Sequence, residues 1–269
     1  MTTARTDSSI APSRDAVGVG SDDLLCRIVL GDCMEVMRRI PDKSVATVIT
    51  DPPYGVTANK WDTPPDWPAW WKEVRRICIG AVVMTAQQPF ATDLINSNRS
   101  AFRYDWAWDK IDKYSGFLQA RTRPLRRHEL VLVFADGPHT YNPQMQKRAK
   151  PYITHGGEGK TCTNYRKGRP KDVGRERTHN APNSVLEFRA HCTDTDAHPT
   201  RKPVALMRYL VETYTNTGDV VLDPFAGGGS TLEAAKEVGR QFIGIEREPR
   251  YVAMCERRLA GSFLDLHNK

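Results

Sequence analysis

The chain alternates short apolar runs with segments in which apolar residues recur every three or four positions. The short runs, bounded by polar turns, predict buried strands, and the longer spacing predicts amphipathic helices. We therefore expect strands at 26–30, 45–50, 81–85, 102–108, 129–134, 185–188, 220–223 and 241–245. We expect helices at 33–40, 67–77, 89–96, 204–213, 231–238 and 249–259. This alternation favours an α/β fold with a doubly wound, Rossmann-like parallel sheet.

Two segments break the alternation. Residues 1–22 are rich in Ser, Thr, Asp and Gly, which predicts a disordered tail. Residues 136–184 are crowded with Gly, Pro, Lys, Arg and Asn, which predicts an irregular insert. The chain thus divides into the tail, one domain built from the halves 23–135 and 185–269, and the insert between those halves.

The net charge of +7 is concentrated in one part of the chain. Residues 121–190 hold 15 Lys or Arg against 6 Asp or Glu, so the remainder is slightly acidic. A basic segment of this kind predicts contact with a polyanion, although a solvated basic loop has the same composition. The candidate phosphate contacts are Arg121, Arg123, Arg126, Arg127, Lys147, Arg148, Lys150, Arg166, Lys167 and Arg169.

The cysteines and the apolar runs indicate the cellular compartment in which the protein resides. Six cysteines are scattered without a disulfide or zinc spacing, so we expect reduced thiols and no bound metal. Five residues of types that bind zinc lie in one part of the chain, but their spacing is irregular: Cys162, His179, His191, Cys192 and His198. No apolar run reaches transmembrane length and no signal peptide is recognisable, which indicates a cytoplasmic protein.

A glycine-rich loop follows the expected strand at 220–223. Gly227, Gly228 and Gly229 allow close approach of the backbone to a ligand, and Ser230 or Thr231 could cap the next helix. Both phosphate-binding spacings, G-x-G-x-x-G and G-x-x-x-x-G-K-[ST], are absent. Glu246 lies 23 positions after Asp223, at the end of the next strand, where a carboxylate can bind ribose hydroxyls. This favours a ribose cofactor without phosphate, such as S-adenosylmethionine, over a plain packing turn.

The turn Asp51-Pro52-Pro53-Tyr54 follows the expected strand at 45–50. The carboxyl ends of parallel strands are where ligands bind in such folds, which favours a site over an ordinary proline turn. Asp51 and the Pro52 carbonyl could accept both hydrogens of an exocyclic amine, so that the nitrogen lone pair points at an incoming methyl group. Tyr54 offers a ring for stacking on the base. We expect these four residues to be catalytic.

These residues resemble the amino-methylating DNA methyltransferases, which modify adenine N6 or cytosine N4. The match spans about residues 26–260, and the motif order resembles that of the permuted beta class. In that class the Asp-Pro-Pro-Tyr half precedes the cofactor half, and a target-recognition insert lies between them. The resemblance implies that 136–184 is this insert, with Tyr141, Tyr152, Asn164 and Arg166 as possible base contacts.

Further motifs extend the resemblance. Gly31-Asp32-Cys33 looks like the motif that contacts the cofactor adenine, and the segment 198–203 is similar to H-P-T-Q-K-P. Arg201 stands where Gln is usual, so only Lys202 is carried over. The implied cofactor contacts are Asp32, Cys33, Lys202, Asp223, Phe225, Ala226, Gly227, Gly229, Ser230, Thr231, Glu246 and Arg247.

The resemblance favours adenine, because it associates an acidic first residue with adenine and Ser-Pro-Pro-Tyr with cytosine; cytosine N4 remains an alternative. Transfer is expected to be direct, onto a base flipped out of duplex DNA. Rival substrates are RNA bases and protein glutamine, and a non-enzymatic rival is a DNA-binding module with a decayed cofactor site. A bacterial or phage source and a homodimer fit the resemblance, and any restriction nuclease partner is undetermined.

Two weaker features receive structural roles. His128 and Glu129 follow a basic run at the start of an expected strand, where a structural role is the simplest interpretation. Trp61 lies soon after the catalytic turn, in a loop that could close over a flipped base, although simple packing is the favoured role.

Overall fold

The computed structural model describes residues 24–55, 62–153, 176–190 and 201–261. Their main feature is an eight-stranded sheet in the order β1-β10-β9-β2-β3-β5-β4-β8. Its strands are β1 Arg27–Leu30, β2 Thr47–Thr50, β3 Val82–Ala86, β4 Phe102–Asp109, β5 His128–Phe134, β8 Val185–Glu187, β9 Val220–Asp223 and β10 Gln241–Glu246. All eight expected strands are therefore present.

Helices cover both faces of this sheet, as a doubly wound fold requires. They are α1 Cys33–Met37, α2 Trp67–Ile77, α3 Phe90–Ser97, α4 Val204–Tyr214, α5 Ser230–Glu237 and α6 Pro249–Gly261. One core contains Met37, Trp70 and Leu94 from the first three helices. The other contains Leu206 and Leu232 from α4 and α5. The Rossmann-like prediction is confirmed.

One strand departs from the predicted parallel sheet. Strand β5 runs antiparallel to both of its neighbours, β3 and β4. A parallel connection needs a crossover of a dozen or more residues, usually a helix. The loop 110–127 between β4 and β5 contains one short 3-10 turn, Phe117–Gln119, and no α-helix. The chain therefore turns back beside β4, and the sheet is mixed.

The insert is more regular than its composition predicts. Strands β6 Gln146–Ile153 and β7 Glu176–Asn180 pair antiparallel in a separate two-stranded ribbon. Nearly all of its side chains are exposed, so the ribbon has little core of its own. Its sequence is therefore mostly polar and shows no strand pattern. Residues 154–175 of the insert and the predicted tail 1–22 lie outside the described residues.

The start of helix α5 also differs from expectation. Gly229 occupies the N-cap position with φ +76°, and no side chain caps the helix. A Cβ at Gly229 would lie 2.8 Å from the Cys255 sulfur, so this position requires glycine. The Ser230 hydroxyl instead donates to the Lys202 carbonyl at 2.7 Å. The prediction that Ser230 or Thr231 caps the helix is therefore wrong.

Candidate active site

The two motifs meet because their strands are neighbours. Strand β2 pairs in parallel with β9, so the turn after Thr50 and the loop after Asp223 leave the same edge of the sheet. The Thr50 hydroxyl donates to Asp223 Oδ1 at 2.6 Å. Residues separated by about 170 positions are thus joined directly, at the edge where ligands bind in open α/β sheets.

Both carboxylate oxygens of Asp51 are held by donors. The Tyr54 hydroxyl lies 2.9 Å from Oδ1, and the Thr85 hydroxyl of β3 donates to the same atom. Lys202 Nζ donates to Oδ2 at 2.6 Å. Burial and the charge of Asp51 raise the pKa of Tyr54 well above its usual value, so Tyr54 remains a donor. The Tyr54 ring stacks on Phe90 with centroids 4.8 Å apart.

A buried charge cluster extends from this turn. Glu129, at the start of β5, pairs with Lys110 and lies 3.5 Å from Lys202. Burial alone would raise the pKa of Glu129, but the Lys202 and Lys110 ammonium groups outweigh it and hold this pKa at about 2. Burial would lower the pKa of Lys202, yet Asp51 and Glu129 raise it. The charge cluster at this turn therefore consists of the Asp51 and Glu129 carboxylates and the Lys110 and Lys202 ammonium groups.

Glu129 belongs to the site, although the sequence favours a structural role for it. It lines the same cavity as Asp51. The one local signal is a carboxylate followed at once by a fully apolar run, which is an expensive place for a charge unless it is paired. No local pattern marks the Thr50 and Thr85 hydroxyls, because their partners Asp223 and Asp51 follow other strands.

Glu246 tethers the glycine loop. Its Oε2 accepts from the Gly227 amide and its Oε1 accepts from the Glu248 amide, both at 2.8 Å. Burial raises the pKa of Glu246. The Gly31 amide also donates to the Glu246 carbonyl at 3.0 Å, so the end of β1 lies beside the end of β10. Glu246 is the last residue of β10, at the strand end that its spacing from Asp223 predicts.

Asp223 is more deeply buried than Glu246 and is 3% exposed. Its Oδ1 also accepts from the Phe225 amide at 3.1 Å. Burial raises the pKa of Asp223 to about 6, and the hydrogen bonds from Thr50 and Thr231 only partly offset this effect. Asp223 thus joins the catalytic strand to the loop in addition to lining the cavity.

Asp32 and Cys33 lie at the start of helix α1. Asp32 caps the helix, since its Oδ1 accepts from the Met34 amide at 2.8 Å. Burial raises the pKa of Cys33 to about 12, so this residue is a neutral thiol. Both residues line the cavity, together with Arg247.

One cavity of about 650 Å³ connects these parts. It is lined by the whole catalytic turn and by the loop from Asp223 to Gly228. Its lining includes apolar Phe225 and Ile245 as well as the carboxylates of Asp32 and Glu246, which supplies both apolar surface for an adenine ring and acids for ribose hydroxyls. The residues present therefore fit S-adenosylmethionine in the part of the cavity lined by the glycine loop.

Comparison with known proteins identifies the family. The DNA methylase profile for N6 and N4 modification matches residues 45–257. The chain belongs to this family. It is 30% identical over 262 residues to DNA adenine methyltransferase YhdJ of Escherichia coli (strain K12), covering 86% of this chain and 82% of YhdJ. It is 26% identical to Type II methyltransferase M.HinfI of Haemophilus influenzae, covering 88% and 69% of the two chains.

Solved structures share the fold of the methylase. The M1.HpyAVI complex with SAM matches with a TM-score of 0.58 at 21% identity, over 87% of this chain and 98% of that chain. The cytosine-N4-specific PvuII DNA methyltransferase matches with a TM-score of 0.58 at 16% identity, over 90% and 92%. The predictions of an amino DNA methyltransferase and of S-adenosylmethionine as its cofactor are confirmed. The permuted beta class stays a prediction.

The predicted DNA contacts lie on exposed parts of the methylase. Arg121 and Arg123 are exposed in the loop 110–127, whose residues Lys113 and Ser115 line the cavity. Arg126 contacts Gln87, which donates to Glu129 at 2.8 Å, so this loop reaches the charge cluster. Arg127 pairs with Asp109 at 2.6 Å. Their DNA contacts stay predictions.

The ribbon of the insert carries Lys147, Arg148 and Lys150 on β6. The Arg148 guanidinium lies 4.4 Å from the Tyr152 ring centroid. Several predicted residues lie outside the described ranges: Trp61, Cys162, Asn164, Arg166, Lys167, Arg169, His191, Cys192 and His198. In the ranges that are described, no group of His, Cys, Asp and Glu could hold a metal ion, and no helix is long and apolar enough to cross a membrane.

Proposed function

We propose that the methylase transfers a methyl group from S-adenosylmethionine to N6 of adenine in a specific duplex DNA sequence. The observation that carries this proposal is the Asp51 carboxylate, fixed in the same cavity as the cofactor loop. The 30% identity to a protein named DNA adenine methyltransferase supports the choice of base. Cytosine N4 is the alternative that the family also includes.

The chain contributes positioning and electrostatics. Asp51 and the Pro52 carbonyl accept the two amine hydrogens, which directs the nitrogen lone pair out of the ring plane. When bound, S-adenosylmethionine supplies an electrophilic methyl group on a sulfonium. Tyr54, held from below by Phe90, offers its ring to the base and keeps its hydroxyl on Asp51. The target base must leave the duplex to reach these groups, which costs a few kcal/mol.

We also infer that residues 136–184 read the target sequence. In support, the ribbon β6–β7 is exposed and basic, and it stands apart from the main sheet. Most of its Lys and Arg residues would contact phosphates, which position the duplex, while few would reach base edges. The catalytic half 23–135 and the cofactor half 185–269 would then hold the chemistry. A homodimer and a cytoplasmic location remain predictions.

The test is expression of the protein in a bacterial host that lacks DNA methylation. Single-molecule sequencing of the host genome should reveal N6-methyladenine at one short sequence. The Asp51→Ala variant should lose at least about 100-fold of this activity, because the amine loses an acceptor. Its cofactor affinity, measured by calorimetry, should persist. N4-methylcytosine in place of N6-methyladenine would contradict the base assignment, and an active Asp51→Ala variant would contradict the mechanism.

A further inference from the structure

The Lys202 ammonium lies where the target amine must bind. It donates to Asp51 Oδ2 at 2.6 Å and lies 5.7 Å from the centroid of the Tyr54 ring. The proposed function requires the exocyclic amine to donate to the same carboxylate while the base stacks on the same ring. A lysine ammonium and a base amine are both N–H donors, and the ammonium already takes one of the acceptor positions on Oδ2 that the amine requires.

A second acceptor for this ammonium is present beside the first. Glu129 Oε2 lies 3.5 Å from Lys202 Nζ and, within the described ranges, has no hydrogen-bond partner. The other oxygen, Oε1, accepts from Gln87 at 2.8 Å and contacts Lys110. Glu129 is only 6% exposed. A buried carboxylate oxygen without a donor is costly, so this atom is a favourable place for an ammonium hydrogen.

Both acceptors lie within reach of one side chain, since Lys202 Nζ is 2.6 Å from Asp51 Oδ2 and 3.5 Å from Glu129 Oε2. The Lys202 carbonyl is held by the Ser230 hydroxyl at 2.7 Å, and helix α4 begins two residues later. The side chain itself is a flexible stem with a compact charge. If Nζ shifts from Asp51 to Glu129, the ammonium is paired with a carboxylate in both positions. The shift therefore avoids the large cost of an isolated buried charge.

We propose that Lys202 is a two-position gate: it occupies the amine site on Asp51 before DNA binds, and the flipped base displaces it onto Glu129. This proposal rests on the proposed function. Before DNA binds, Lys202 keeps the partly buried Asp51 charge paired. After displacement, its positive charge moves away from an amine that gains positive charge during transfer, and Asp51 Oδ2 is open to the base. Lys202 and Glu129 are therefore positioning residues.

Epistasis between two substitutions tests the gate. Glu129→Gln leaves a single, neutral acceptor oxygen for the Lys110 and Lys202 ammonium groups, so Lys202 should stay on Asp51. We expect kcat/KM for DNA to fall about tenfold or more, with cofactor affinity unchanged. Adding Lys202→Met should restore part of the loss, because no ammonium then competes for Asp51. Lys202→Met alone should lower KM for DNA.

A control and a wild-type measurement complete the test. Glu73→Gln removes a carboxylate from the Arg76 pair on helix α2, away from the cavity, and should leave kcat/KM unchanged. Calorimetry with the cofactor and thermal unfolding establish that each variant is folded. A merely structural role for Lys202 and Glu129 predicts a double variant no more active than Glu129→Gln, and that result would overturn the gate.

The wild-type protein gives an answer that needs no variant. In a structure with target duplex and S-adenosylhomocysteine, Lys202 Nζ should lie within hydrogen-bond distance of Glu129 Oε2, and adenine N6 should contact Asp51. A flipped base with Lys202 still on Asp51 would overturn the gate while leaving the proposed function intact. If the wild-type protein methylates no adenine in the same assays, the proposed function fails, and the gate fails with it.

Discussion

The active-site cavity and the basic surface handle charge in opposite ways. In the cavity, Asp51, Glu129 and Lys202 are largely withdrawn from water and each contacts an opposite charge. On the surface, Arg121 and Arg123 project into solvent from the loop 110–127. Buried charges act strongly on specific neighbours, whereas exposed charges act weakly, over longer distances and through salt.

This contrast indicates that the cavity and the basic surface have different roles. The cavity arranges donors and acceptors before a base arrives, which is the basis of electrostatic preorganisation. The surface supplies attraction for a polyanion, which needs no exact geometry. Substitutions in the cavity should therefore have large effects that depend on the atom removed, and substitutions on the surface should have small effects that depend on salt.

The largest effect should come from Asp223, whose buried carboxylate is held, among the described residues, by hydrogen bonds from Thr50 and the Phe225 amide and by no ion pair. Its pKa is about 6 in the folded protein against 3.8 ordinarily, so the folded state binds its proton more tightly than the unfolded state. The stability it contributes is present below about pH 4 and is lost as pH rises through about 6. This loss amounts to about 3 kcal/mol.

The Asp223→Asn variant keeps an acceptor for Thr50 but has no titrating proton. Measured without cofactor, its free energy of unfolding should therefore exceed that of the wild type by an amount that grows from pH 4 to pH 7. Urea unfolding at several pH values measures this difference, and Asp93→Asn on helix α3 gives the baseline for a surface carboxylate. A difference that does not vary with pH would show that burial does not penalise this charge.

The same contrast separates what could be predicted from the sequence. The strand ends, the catalytic turn and Glu246 follow from local patterns and spacing, and the structure places them as expected. Glu129 and Thr85 could not be predicted in this way, because their roles arise from neighbours on adjacent strands. The sequence predicts a cofactor contact for Lys202, whereas its ammonium donates to Asp51, a contact across 151 positions that no local pattern encodes.

The direction of β5 and the ribbon β6–β7 are two features that apolar patterning does not predict. The antiparallel direction of β5 depends on what the loop 110–127 does, and a basic loop without periodicity does not specify that. The ribbon β6–β7 is formed by exposed polar strands, which lack the alternation that predicts a half-buried strand. Apolar patterning predicts the parts of this chain that have a core and misses the part that lacks one.

A smaller effect should come from Glu246. Its two oxygens accept from two loop amides, so Glu246→Gln replaces one acceptor with a donor that faces an amide hydrogen. It also removes the charge expected to bind the cofactor ribose. We expect cofactor affinity to fall about tenfold, measured by calorimetry. Glu248→Gln, two residues away and outside the cavity lining, is the matched control. Equal affinity for the wild type and Glu246→Gln would mean that this carboxylate does not bind cofactor.

The smallest effect should come from the basic surface. Arg121→Gln and Arg123→Gln should each reduce the slope of log affinity for DNA against log salt by about 1, which is about a threefold to fourfold change in affinity between 50 and 200 mM salt. Methylation at saturating DNA should stay constant, because neither residue lines the cavity.

Arg99→Gln provides the control for these arginines. Arg99 is exposed between helix α3 and β4, at the edge of the sheet opposite the catalytic turn. Arg99→Gln therefore removes the same positive charge at a site away from the loop 110–127. Fluorescence anisotropy with a labelled duplex at four salt concentrations measures all three slopes. An unchanged slope for Arg99→Gln would locate phosphate contact at the loop 110–127. Equal slopes for the three variants would mean that net charge alone attracts DNA. The loop 110–127 would then not be a binding surface that can be set against the active-site cavity.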